Sequence, residues 1–427
     1  MDVDGFLESL KPSEMTLGLE RVRSLVERLP IQSHSNNILV AGTNGKGSTS
    51  AFLASILETL SGSTGLFTSP HLLSVHERIR VSGTPIDEKT FAALVEEIAS
   101  VLPSMDSPPT YFEFLTAAAA LHFQRSETRF NVFEVGLGGR LDATNILTGP
   151  VSIITRIAHD HMHLLGRTLE QIAGEKAGII KPGQTVVVTP QRAPVLRQLR
   201  EIAHTVGAEI VESSRLVRIR PLHMDPDGMV LEAKIHGTWT PFHTSLTGPH
   251  QIENLAAALS ASTLLDHPTA EALQIAVAHT RWPGRLETFR LGNRRLIIDG
   301  AHNPSGIRAL GAYLDRVQLP RPVELIFGSV TQKKPRQSLQ ILSPRVDRIR
   351  LVPIISTPRS WTEAMMHRTA SSITSRIPVT LERNLSDALT GASGSPTTLV
   401  SGSLYLVSEV MQWLNRSPWQ LTTRALP

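Results

Sequence analysis

Short apolar runs bounded by turn residues recur along the chain and predict buried strands. They read "NILVA" (37–41), "NVFEV" (131–135), "VSIITRI" (151–157), "TVVVT" (185–189), "LIIDG" (296–300), "VELIFG" (323–328) and "TTLVSG" (397–402). Between many of these runs the apolar residues fall at helical spacing, as at Phe52, Leu53, Ile56, Leu57 and Leu60. Strands that alternate with helices are typical of a parallel sheet, so the predicted fold class is α/β.

The pattern changes over residues 208–246, where polar and apolar residues alternate around the turn "DPDG" and predict a small antiparallel ribbon. Farther on, "RWPGRLE" places Pro283 and Gly284 between a helix and a new series of strands. We therefore predict two domains, 1–283 and 284–427. A length of 427 residues agrees with this division, because one hydrophobic core usually stops growing at about 250 to 300 residues.

The amino-acid composition limits the kinds of site and partner that the protein can have. The chain contains no Cys, which excludes disulfides, thiolate zinc sites and a cysteine nucleophile. Lys and Arg number 42 against 38 Asp and Glu, and aromatic residues make up 5%, without the basic and aromatic cluster that nucleic-acid binding needs. The N-terminal sequence lacks the pattern of a secretory signal, and no apolar run approaches the ~20 residues of a membrane span. We expect a cytoplasmic protein with acidic small-molecule ligands and no nucleic-acid or membrane partner.

The segment "VAGTNGKGST" follows the first predicted strand and precedes a predicted helix. Gly42, Gly45 and Gly47 allow a tight turn with inward-pointing amides, Lys46 adds a positive charge, and a Ser-Thr pair begins the helix. A glycine loop between a strand and a helix is the context of a phosphate-binding loop, here with Gly47 between the lysine and the hydroxyl. A glycine-rich turn that binds no ligand is the alternative.

Acidic and imidazole side chains follow two further strands. Glu134 lies near the end of one strand and precedes a glycine-rich turn, a position that suits a magnesium ligand. A structural glutamate paired with Arg140 is the alternative. Three alternating histidines in "IAHDHMHLLG" suggest zinc, but a structural zinc site needs four ligands and residues i, i+2 face opposite sides of an extended segment. One histidine in the site, with Asp160 as its hydrogen-bond partner, is the simpler interpretation.

Lys176 lies in the segment "EKAGIIKPG", on a predicted helix that ends near Gly178 and Pro182. A solvated surface lysine is the ordinary interpretation of such a residue. A lysine that points into a magnesium site would be repelled by the metal unless its charge were removed or reversed. Carbamylation, the addition of CO₂ to the amine, would convert it into a carboxylate that can bind metal.

A series of sequence blocks resembles the folylpolyglutamate synthases and dihydrofolate synthases of the Mur ligase superfamily, in the same order and over roughly residues 16–410. The blocks are "VAGTNGKGST", "TSPHL", "TYFEFLTAAA", "EVGLGGRLDATN", "DHMHLLG", "EKAGIIKPG", "HQIENLAAA", "WPGRLE", "IDGAHNPSG" and "SGSLYLVSE". The resemblance implies a parallel-sheet, P-loop ATPase-like N-terminal domain and a smaller, Rossmann-like α/β C-terminal domain.

The resemblance also implies an ATP-dependent amide ligase. A substrate carboxylate would take the γ-phosphate, and the amine of L-glutamate would attack the resulting acyl phosphate. Folates and dihydropteroate are the implied acceptors of glutamate. ATP and Mg²⁺ are the implied cofactors, a monovalent cation is a further candidate, and we expect a monomer.

Site residues are implied by matching positions. The nucleotide would contact Asn44, Gly45, Lys46, Gly47, Ser48, Asn254, Arg285 and Asp299. Magnesium would be held by Ser69, Glu134 and His161. Catalysis would involve Lys46, His302 and a carbamylated Lys176. The substrate positions are Leu17, Gly18, Leu19, Thr110, Phe112, Leu141 and Ser403.

The chain departs from the family pattern at three positions. Thr16 replaces an Asp that is usual in the dihydropteroate segment, which weakens the inference of dihydropteroate use. His163 and Lys334 each stand where an Asp is frequent in the family. These departures lie outside the phosphate loop and do not affect the ligase inference.

Three other functions are possible for such a chain. A peptidoglycan-precursor Mur ligase usually has threonine directly after the lysine and an extra N-terminal domain, whereas here Gly47 intervenes and the first strand begins at residue 37. A catalytically silent nucleotide-binding module is disfavoured because Lys46, Glu134, Lys176 and the other catalytic positions are all present. A nucleic-acid-binding ATPase would need the basic cluster that is missing.

Overall fold

A computed structural model of the chain describes residues 2–11, 17–32, 35–373 and 377–416. The polypeptide forms two compact units. Unit 1 takes its residues from Met1–Ile219, Ala233–Thr240 and Glu253–Thr280, and unit 2 from Arg220–Glu232, Pro241–Ile252 and Arg281–Pro427. Within the described ranges, no helix combines the length and the apolar character that crossing a bilayer would require.

The α-helices are, in chain order, α1 (Val3–Ser9), α2 (Glu20–Glu27), α3 (Lys46–Ser61), α4 (Glu88–Val101), α5 (Tyr111–Arg125), α6 (Met162–Leu165), α7 (Leu169–Ala177), α8 (Ala193–Val206), α9 (Ser213–Leu216), α10 (Pro249–Leu265), α11 (Ala270–His279), α12 (Pro304–Leu314), α13 (Pro335–Leu342), α14 (Glu363–Ser372), α15 (Leu385–Gly391) and α16 (Leu404–Arg416). Short 3₁₀ turns occur at Val75–Arg78, Leu102–Ser104, Ala143–Ile146, Ser343–Arg345 and Ala392–Gly394.

The strands are β1 (Asn37–Ala41), β2 (Thr64–Phe67), β3 (Ile79–Val81), β4 (Thr84–Pro85), β5 (Phe130–Glu134), β6 (Val151–Ile154), β7 (Thr185–Val188), β8 (Glu209–Glu212), β9 (Arg218–Asp225), β10 (Gly228–Ile235), β11 (Thr238–Thr244), β12 (Glu287–Leu291), β13 (Arg294–Asp299), β14 (Val323–Phe327), β15 (Arg348–Leu351), β16 (Val379–Leu381) and β17 (Thr397–Ser401). Each apolar run that predicted a strand overlaps one, and β1 coincides with "NILVA" in full.

Unit 1 is built on an eight-stranded sheet with the order β4-β3-β2-β5-β1-β6-β7-β8. The pairs from β2 to β8 are parallel, whereas β3 pairs antiparallel with both β2 and β4. Strands β2 to β5 lie on one side of β1 in the sheet, and strands β6 to β8 lie on its other side. The direction of winding therefore reverses at β1. Loops diverge at such a switch point and leave a crevice at the carboxyl ends of the strands. The loops after β1, β5 and β6 lie at this edge.

Burial explains why these segments form the centre of the sheet. All five residues of β1 and all five residues of β5 are buried, as expected for parallel strands that helices cover on both faces. The α5 helix packs in the core of unit 1, where Phe114, Leu115 and Phe123 are fully buried. The α/β fold class predicted from the sequence is confirmed.

A three-stranded sheet with the order β11-β10-β9 lies within the region predicted as a ribbon. The predicted turn "DPDG" connects β9 to β10. In this turn the Asp225 carboxylate accepts hydrogen bonds from the backbone N–H groups of Asp227 (2.7 Å) and Gly228 (3.0 Å). A short acidic side chain that bonds its own backbone in this way stabilises a tight turn.

Unit 2 is built on a six-stranded sheet with the order β12-β13-β17-β14-β15-β16. The β12–β13 pair is antiparallel and the remaining pairs are parallel. Its core includes the fully buried Tyr313 and the nearly buried pair Phe327 and Trp361, whose ring centroids are 5.9 Å apart. Asp299 and Ser401 face each other where β13 and β17 end, so polar residues gather at the carboxyl edge of this sheet.

Candidate active site

The phosphate loop occupies residues 42–45, between β1 and α3. Gly42 has a φ of +150° and Gly45 a φ of +91°, so both adopt backbone conformations that favour glycine. A Cβ atom on Gly42 would lie 1.8 Å from Thr155 Oγ1, and one on Gly45 would lie 2.2 Å from Asn254 Oδ1. Both positions therefore require glycine for conformation and for space.

Backbone hydrogen bonds hold the loop against the segment that follows β6. The N–H groups of Thr43 and Asn44 both donate to the Arg156 carbonyl oxygen, at 2.9 and 3.3 Å. The Thr43 hydroxyl donates to the Ala158 carbonyl oxygen at 3.0 Å and accepts from the Ala158 N–H at 3.1 Å. The loop is thus preformed by contacts with a neighbouring strand connection.

Helix α3 begins at Lys46, directly after the loop, and its N-cap residue, Gly45, has no side chain that could cap the helix. Its first turn contains Ser48 and Thr49, which are 3% and 0% exposed. An uncapped helix start next to a glycine loop presents backbone amides and a positive dipole end to an anion. Five predicted nucleotide positions, Asn44 to Ser48, lie here, and Asn254 adjoins Gly45.

Lys176 of α7 lies against the same loop. Its side chain is 3% exposed, and its Nζ donates to the Gly42 carbonyl oxygen at 2.8 Å. Lys46 Nζ donates to the same oxygen at 3.3 Å. The structure therefore brings together two lysines that lie 130 positions apart in sequence, as the predicted site requires.

Burial lowers the pKa of Lys176 from 10.5 to about 7. The neighbouring charge of Lys46 lowers this pKa further, while the carboxylates of Asp160 and Asp142 oppose the shift. A buried ammonium is disfavoured because it loses its hydration. Near neutral pH a substantial fraction of Lys176 therefore carries a neutral, nucleophilic amine.

Glu134 ends β5 and is 5% exposed. Its Oε2 atom accepts a hydrogen bond from the Ser69 N–H at 3.0 Å, which brings two predicted magnesium ligands into contact. Val40 of β1 faces Glu134 across the sheet, so this carboxylate lies at the edge that carries the phosphate loop. Arg140, the alternative partner of Glu134, binds Glu175 with an N–O distance of 2.9 Å.

His161, the third predicted magnesium ligand, lies in the connection after β6 with a φ of +47°. Its N–H donates to Asp160 Oδ1 at 2.9 Å, and its Nε2 lies 3.9 Å from the same oxygen. The hydrogen bond comes from the backbone of His161, so the predicted partnership of its imidazole with Asp160 stays a prediction. In the part of the chain that the structure describes, no three His, Asp or Glu side chains form a metal cluster. The carboxylate of Glu134 and the hydroxyl of Ser69 are oxygen donors, which magnesium prefers, and water and phosphate commonly complete its coordination.

The glycine-rich turn after β5 is connected to the end of α7. Asn145 Nδ2 donates to the Gly178 carbonyl oxygen at 3.0 Å, and Lys181 Nζ donates to Asn145 Oδ1 at 2.7 Å. Asp142 in the same turn is buried, and burial raises its pKa. These contacts fix the position of α7, and hence of its Lys176 side chain, relative to β5.

Two of the predicted substrate positions, Leu19 and Phe112, meet in one apolar cluster. Leu19 is 8% exposed and packs with Val22 and Ala143, and the half-buried Phe112 packs against this group. Leu17 and Gly18 directly precede Leu19, Thr110 caps the helix that contains Phe112, and Leu141 is two residues from Ala143. Thr16 lies outside the described residues.

Sequence reasoning missed an ion pair beside this cluster. Arg21 of α2 binds Glu113 of α5 through Nε at 3.0 Å and through Nη2 at 2.7 Å. The Glu113 carboxylate is 4% exposed and also accepts from the Thr110 N–H at 2.6 Å, which completes the capping box of α5. The signal in the sequence is "TYFE", the T-x-x-E spacing of a capping box. The pairing with Arg21 spans 92 positions and has no local signal.

In unit 2 the predicted residues surround the carboxyl ends of β13 and β17. Asp299 is 5% exposed, and its carboxylate accepts from the N–H groups of Leu286 (3.1 Å) and Ala301 (3.0 Å). Burial raises the pKa of Asp299, and the positive charge of Arg285 opposes that shift. Arg285 itself donates from Nη1 to the carbonyl oxygen of Gly284 at 3.1 Å.

Two further predicted residues lie at the same edge. His302 Nδ1 is 2.9 Å from the Gly300 carbonyl oxygen, and because a carbonyl only accepts, Nδ1 carries the proton. Ser403 is 4% exposed, and its Oγ accepts from the Tyr405 N–H at 3.2 Å. The Gly402 N–H donates to the Ala301 carbonyl oxygen at 3.1 Å and links the two loops.

Comparison with known proteins shows the family to which the chain belongs. Residues 40–262 match the family model of the Mur ligase middle domain, and residues 285–413 match that of the dihydrofolate synthetase C-terminal domain. The fold and the phosphate loop thus define a Mur-type ligase. The chain belongs to the folylpolyglutamate synthase and dihydrofolate synthase family of ligases.

Three relatives illustrate the similarity. The dihydrofolate synthase/folylpolyglutamate synthase of Bacillus subtilis is 32% identical over 93% of this chain and 95% of its own length. A structure of Mycobacterium tuberculosis folylpolyglutamate synthase complexed with ADP is 29% identical, with a TM-score of 0.89 over 97% of this chain and 98% of that one. Escherichia coli FolC in complex with DHPP and ADP is 29% identical, with a TM-score of 0.86 over 97% and 98% of the two chains.

Replacing Arg21 with Gln should destabilise the protein by about 3 kcal/mol, because the buried Glu113 carboxylate loses its cationic partner. Arg125 and Glu97 form a matched control pair between α5 and α4 that is 46% and 36% exposed. Arg125→Gln should cost less than about 1 kcal/mol, as exposed ion pairs do. Urea unfolding of both variants measures the difference. Equal destabilisation would contradict a special role for the buried pair.

Replacing Lys176 with Met should change the pH dependence of stability. Because the folded-state pKa of Lys176 is about 7 against 10.5, the unfolded chain binds more protons between these values, and this group makes stability rise with pH there. The stability of the parent protein relative to Lys176→Met should therefore increase between pH 7 and 10, by at most about 1.4 kcal/mol per pH unit. Urea unfolding in CO₂-free buffer measures this trend, and a flat or falling difference would refute it.

Proposed function

We propose that the protein is an ATP-dependent ligase that adds L-glutamate to folates and to dihydropteroate through an acyl phosphate. The observation that carries this proposal is the convergence of Lys46 and Lys176 on the carbonyl oxygen of Gly42, the first residue of the phosphate loop. This convergence lies beside the start of α3, where the charge of Lys46, the backbone amides and the positive end of the helix dipole all favour an anion. A bound triphosphate would supply that anion.

The phosphate loop and Lys46 would bind the phosphates and orient the γ-phosphoryl group. The uncapped start of α3 offers backbone amides, and Lys46 offers a charge that follows the γ-phosphate oxygens as the reaction proceeds. The substrate carboxylate would attack the γ-phosphorus, and the bond to ADP would break. The carboxylate thereby becomes an acyl phosphate, from which phosphate is a good leaving group.

Ser69, Glu134 and His161 would hold Mg²⁺, and the ion would neutralise charge on the phosphate oxygens when it is bound. The contact between Ser69 and the buried Glu134 carboxylate supports this assignment. The position of both residues at the edge of the sheet that carries the phosphate loop supports it further.

Lys176 would be carbamylated. The neutral amine attacks CO₂, a C–N bond forms, and one proton is released to water. The low pKa of Lys176 supports this step, because it leaves a reactive amine near neutral pH. The resulting carbamate would replace a buried cation with an anion beside Lys46, which relieves the repulsion between the two lysines.

The apolar cluster of Leu19, Phe112 and Ala143 would bind the pterin. Leu19 and the half-buried Phe112 pack in this apolar cluster, and the Arg21–Glu113 pair fixes the two segments that carry them. The relative from Escherichia coli was solved with DHPP and ADP. That likeness supports dihydropteroate as a second acceptor, alongside folates.

Unit 2 would supply groups that act on the incoming amino acid and on the nucleotide. Because His302 carries its proton on Nδ1, its Nε2 can accept the proton that the glutamate amine loses when it attacks the acyl carbon. Asp299 and Arg285 would contact the nucleotide. A monomeric state, a cytoplasmic location and a monovalent-cation requirement stay predictions.

Phosphate release from ATP in the presence of L-glutamate tests the ligase directly. We expect release with dihydropteroate or tetrahydrofolate and none without an acceptor, together with a product that has gained one glutamyl residue. Lys46→Ala should lose at least about 100-fold in rate, as when a charge-stabilising group is removed from a phosphoryl-transfer site. Acceptor-independent phosphate release by the parent protein would instead indicate an ATPase and overturn the proposal.

Lys176→Ala tests the carbamate. The variant should be inactive, and short carboxylates such as acetate or formate should restore part of its activity by occupying the vacated space. Acetamide at the same concentration is the neutral control and should restore none. Full activity of Lys176→Ala, or equal restoration by acetamide, would rule out a carboxylate at this position.

A further inference from the structure

One arginine at the carboxyl edge of the unit 2 sheet has no role in the site described above. Arg359 lies in the loop after β15, and its Nη2 donates to the hydroxyl of Tyr405 at 3.1 Å. Its guanidinium carbon lies 6.0 Å from the centroid of the Tyr405 ring. The Tyr405 N–H in turn donates to Ser403 Oγ at 3.2 Å, so the arginine is connected to a predicted substrate residue.

This connection continues to the loop that contains His302. Ser403 follows β17, and the Gly402 N–H donates to the Ala301 carbonyl oxygen at 3.1 Å. The β13 and β17 strands that end at this point are paired in parallel. Arg359, Tyr405, Ser403 and His302 therefore belong to one group of residues at the carboxyl edge, where α/β sheets bind their ligands.

The loop that carries Arg359 is held in place by several contacts. The Ser356 N–H donates to Glu409 Oε1 at 2.7 Å, and the Thr331 N–H donates to the Arg359 carbonyl oxygen at 2.8 Å. Trp361 is 2% exposed and donates from Nε1 to the Val352 carbonyl oxygen at 2.6 Å. These contacts hold the backbone of the loop that carries the Arg359 side chain.

Arg359 differs in its contacts from other arginines of unit 2. Other arginines of this unit bind carboxylates, for example Arg321 to Asp347 at 2.6 Å and Arg345 to Asp315 at 2.7 Å. In the described part of the chain, Arg359 is exposed and forms no ion pair. Its remaining N–H donors form a planar fork that matches the geometry of a carboxylate.

We propose that Arg359 and Tyr405 form the subsite for the side-chain carboxylate of the incoming L-glutamate. This inference rests on the proposed function. The α-carboxylate of the amino acid adjoins its reacting amine, whereas the side-chain carboxylate is distant from it. Arg359 is connected to the His302 loop only through Tyr405 and Ser403, so its position suits the distal end of the amino acid. The subsite would select an anionic side chain over the neutral amide of glutamine.

Arg359→Gln tests this subsite by steady-state kinetics with ATP, a folate and L-glutamate. We expect the KM for L-glutamate to rise at least about tenfold, because a hydrogen bond to a charged group is lost. The KM values for ATP and for the folate should not change. The preference for L-glutamate over L-glutamine should fall, which a merely structural defect would not produce, and Arg359→Lys should restore part of it.

Arg321→Gln is the matched control, since it removes an exposed arginine of the same unit and should leave all KM values unchanged. If the parent protein forms no glutamyl product, the proposed function itself fails. If the parent is active and Arg359→Gln keeps its KM for L-glutamate and its preference over L-glutamine within twofold, only the subsite is refuted. A fall in kcat alone would also refute it.

Discussion

The site of unit 1 depends on one carbonyl oxygen. Gly42 accepts hydrogen bonds from both Lys46 and Lys176, at 3.3 and 2.8 Å. Two ammonium groups on the same neutral acceptor repel each other, and Lys176 is buried as well. Such an arrangement becomes stable when one lysine loses its proton or when an anion joins the group. The glycine loop and the positive charge of Lys46 are consistent with a place where negative charge arrives during the reaction.

Each of the two units places its polar residues where parallel strands end. In unit 1 these are the phosphate loop after β1 and Glu134 at the end of β5. In unit 2 they are Asp299 at the end of β13 and Ser403 after β17. Parallel strands bury their sides under helices, so only their ends offer backbone groups and polar side chains to a ligand. The same constraint thus accounts for both groups of residues.

Local pattern was sufficient to predict the strands and the residues that follow them directly. The apolar run "NILVA" is β1, and the glycine loop follows it with positive φ at Gly42 and Gly45. Contacts between distant segments were not accessible in this way. The Arg21–Glu113 pair and the convergence of Lys176 on Gly42 depend on packing of α2 against α5 and of α7 against the loop. Only the family resemblance assigned Lys176 to the catalytic site. It gave no information about Arg359, whose proposed role depends on a contact between its loop and Tyr405.

The Arg21–Glu113 pair also makes α2 part of the folded structure of unit 1. The match to the Mur ligase middle domain begins at residue 40, yet α2 lies before this point and neutralises a carboxylate inside α5. A protein trimmed to the matched segment would leave the Glu113 carboxylate without its counter-ion. The start of the family-model match at residue 40 is therefore not the start of the cooperatively folded unit. Expression of this unit alone has to include α2, the helix that precedes β1.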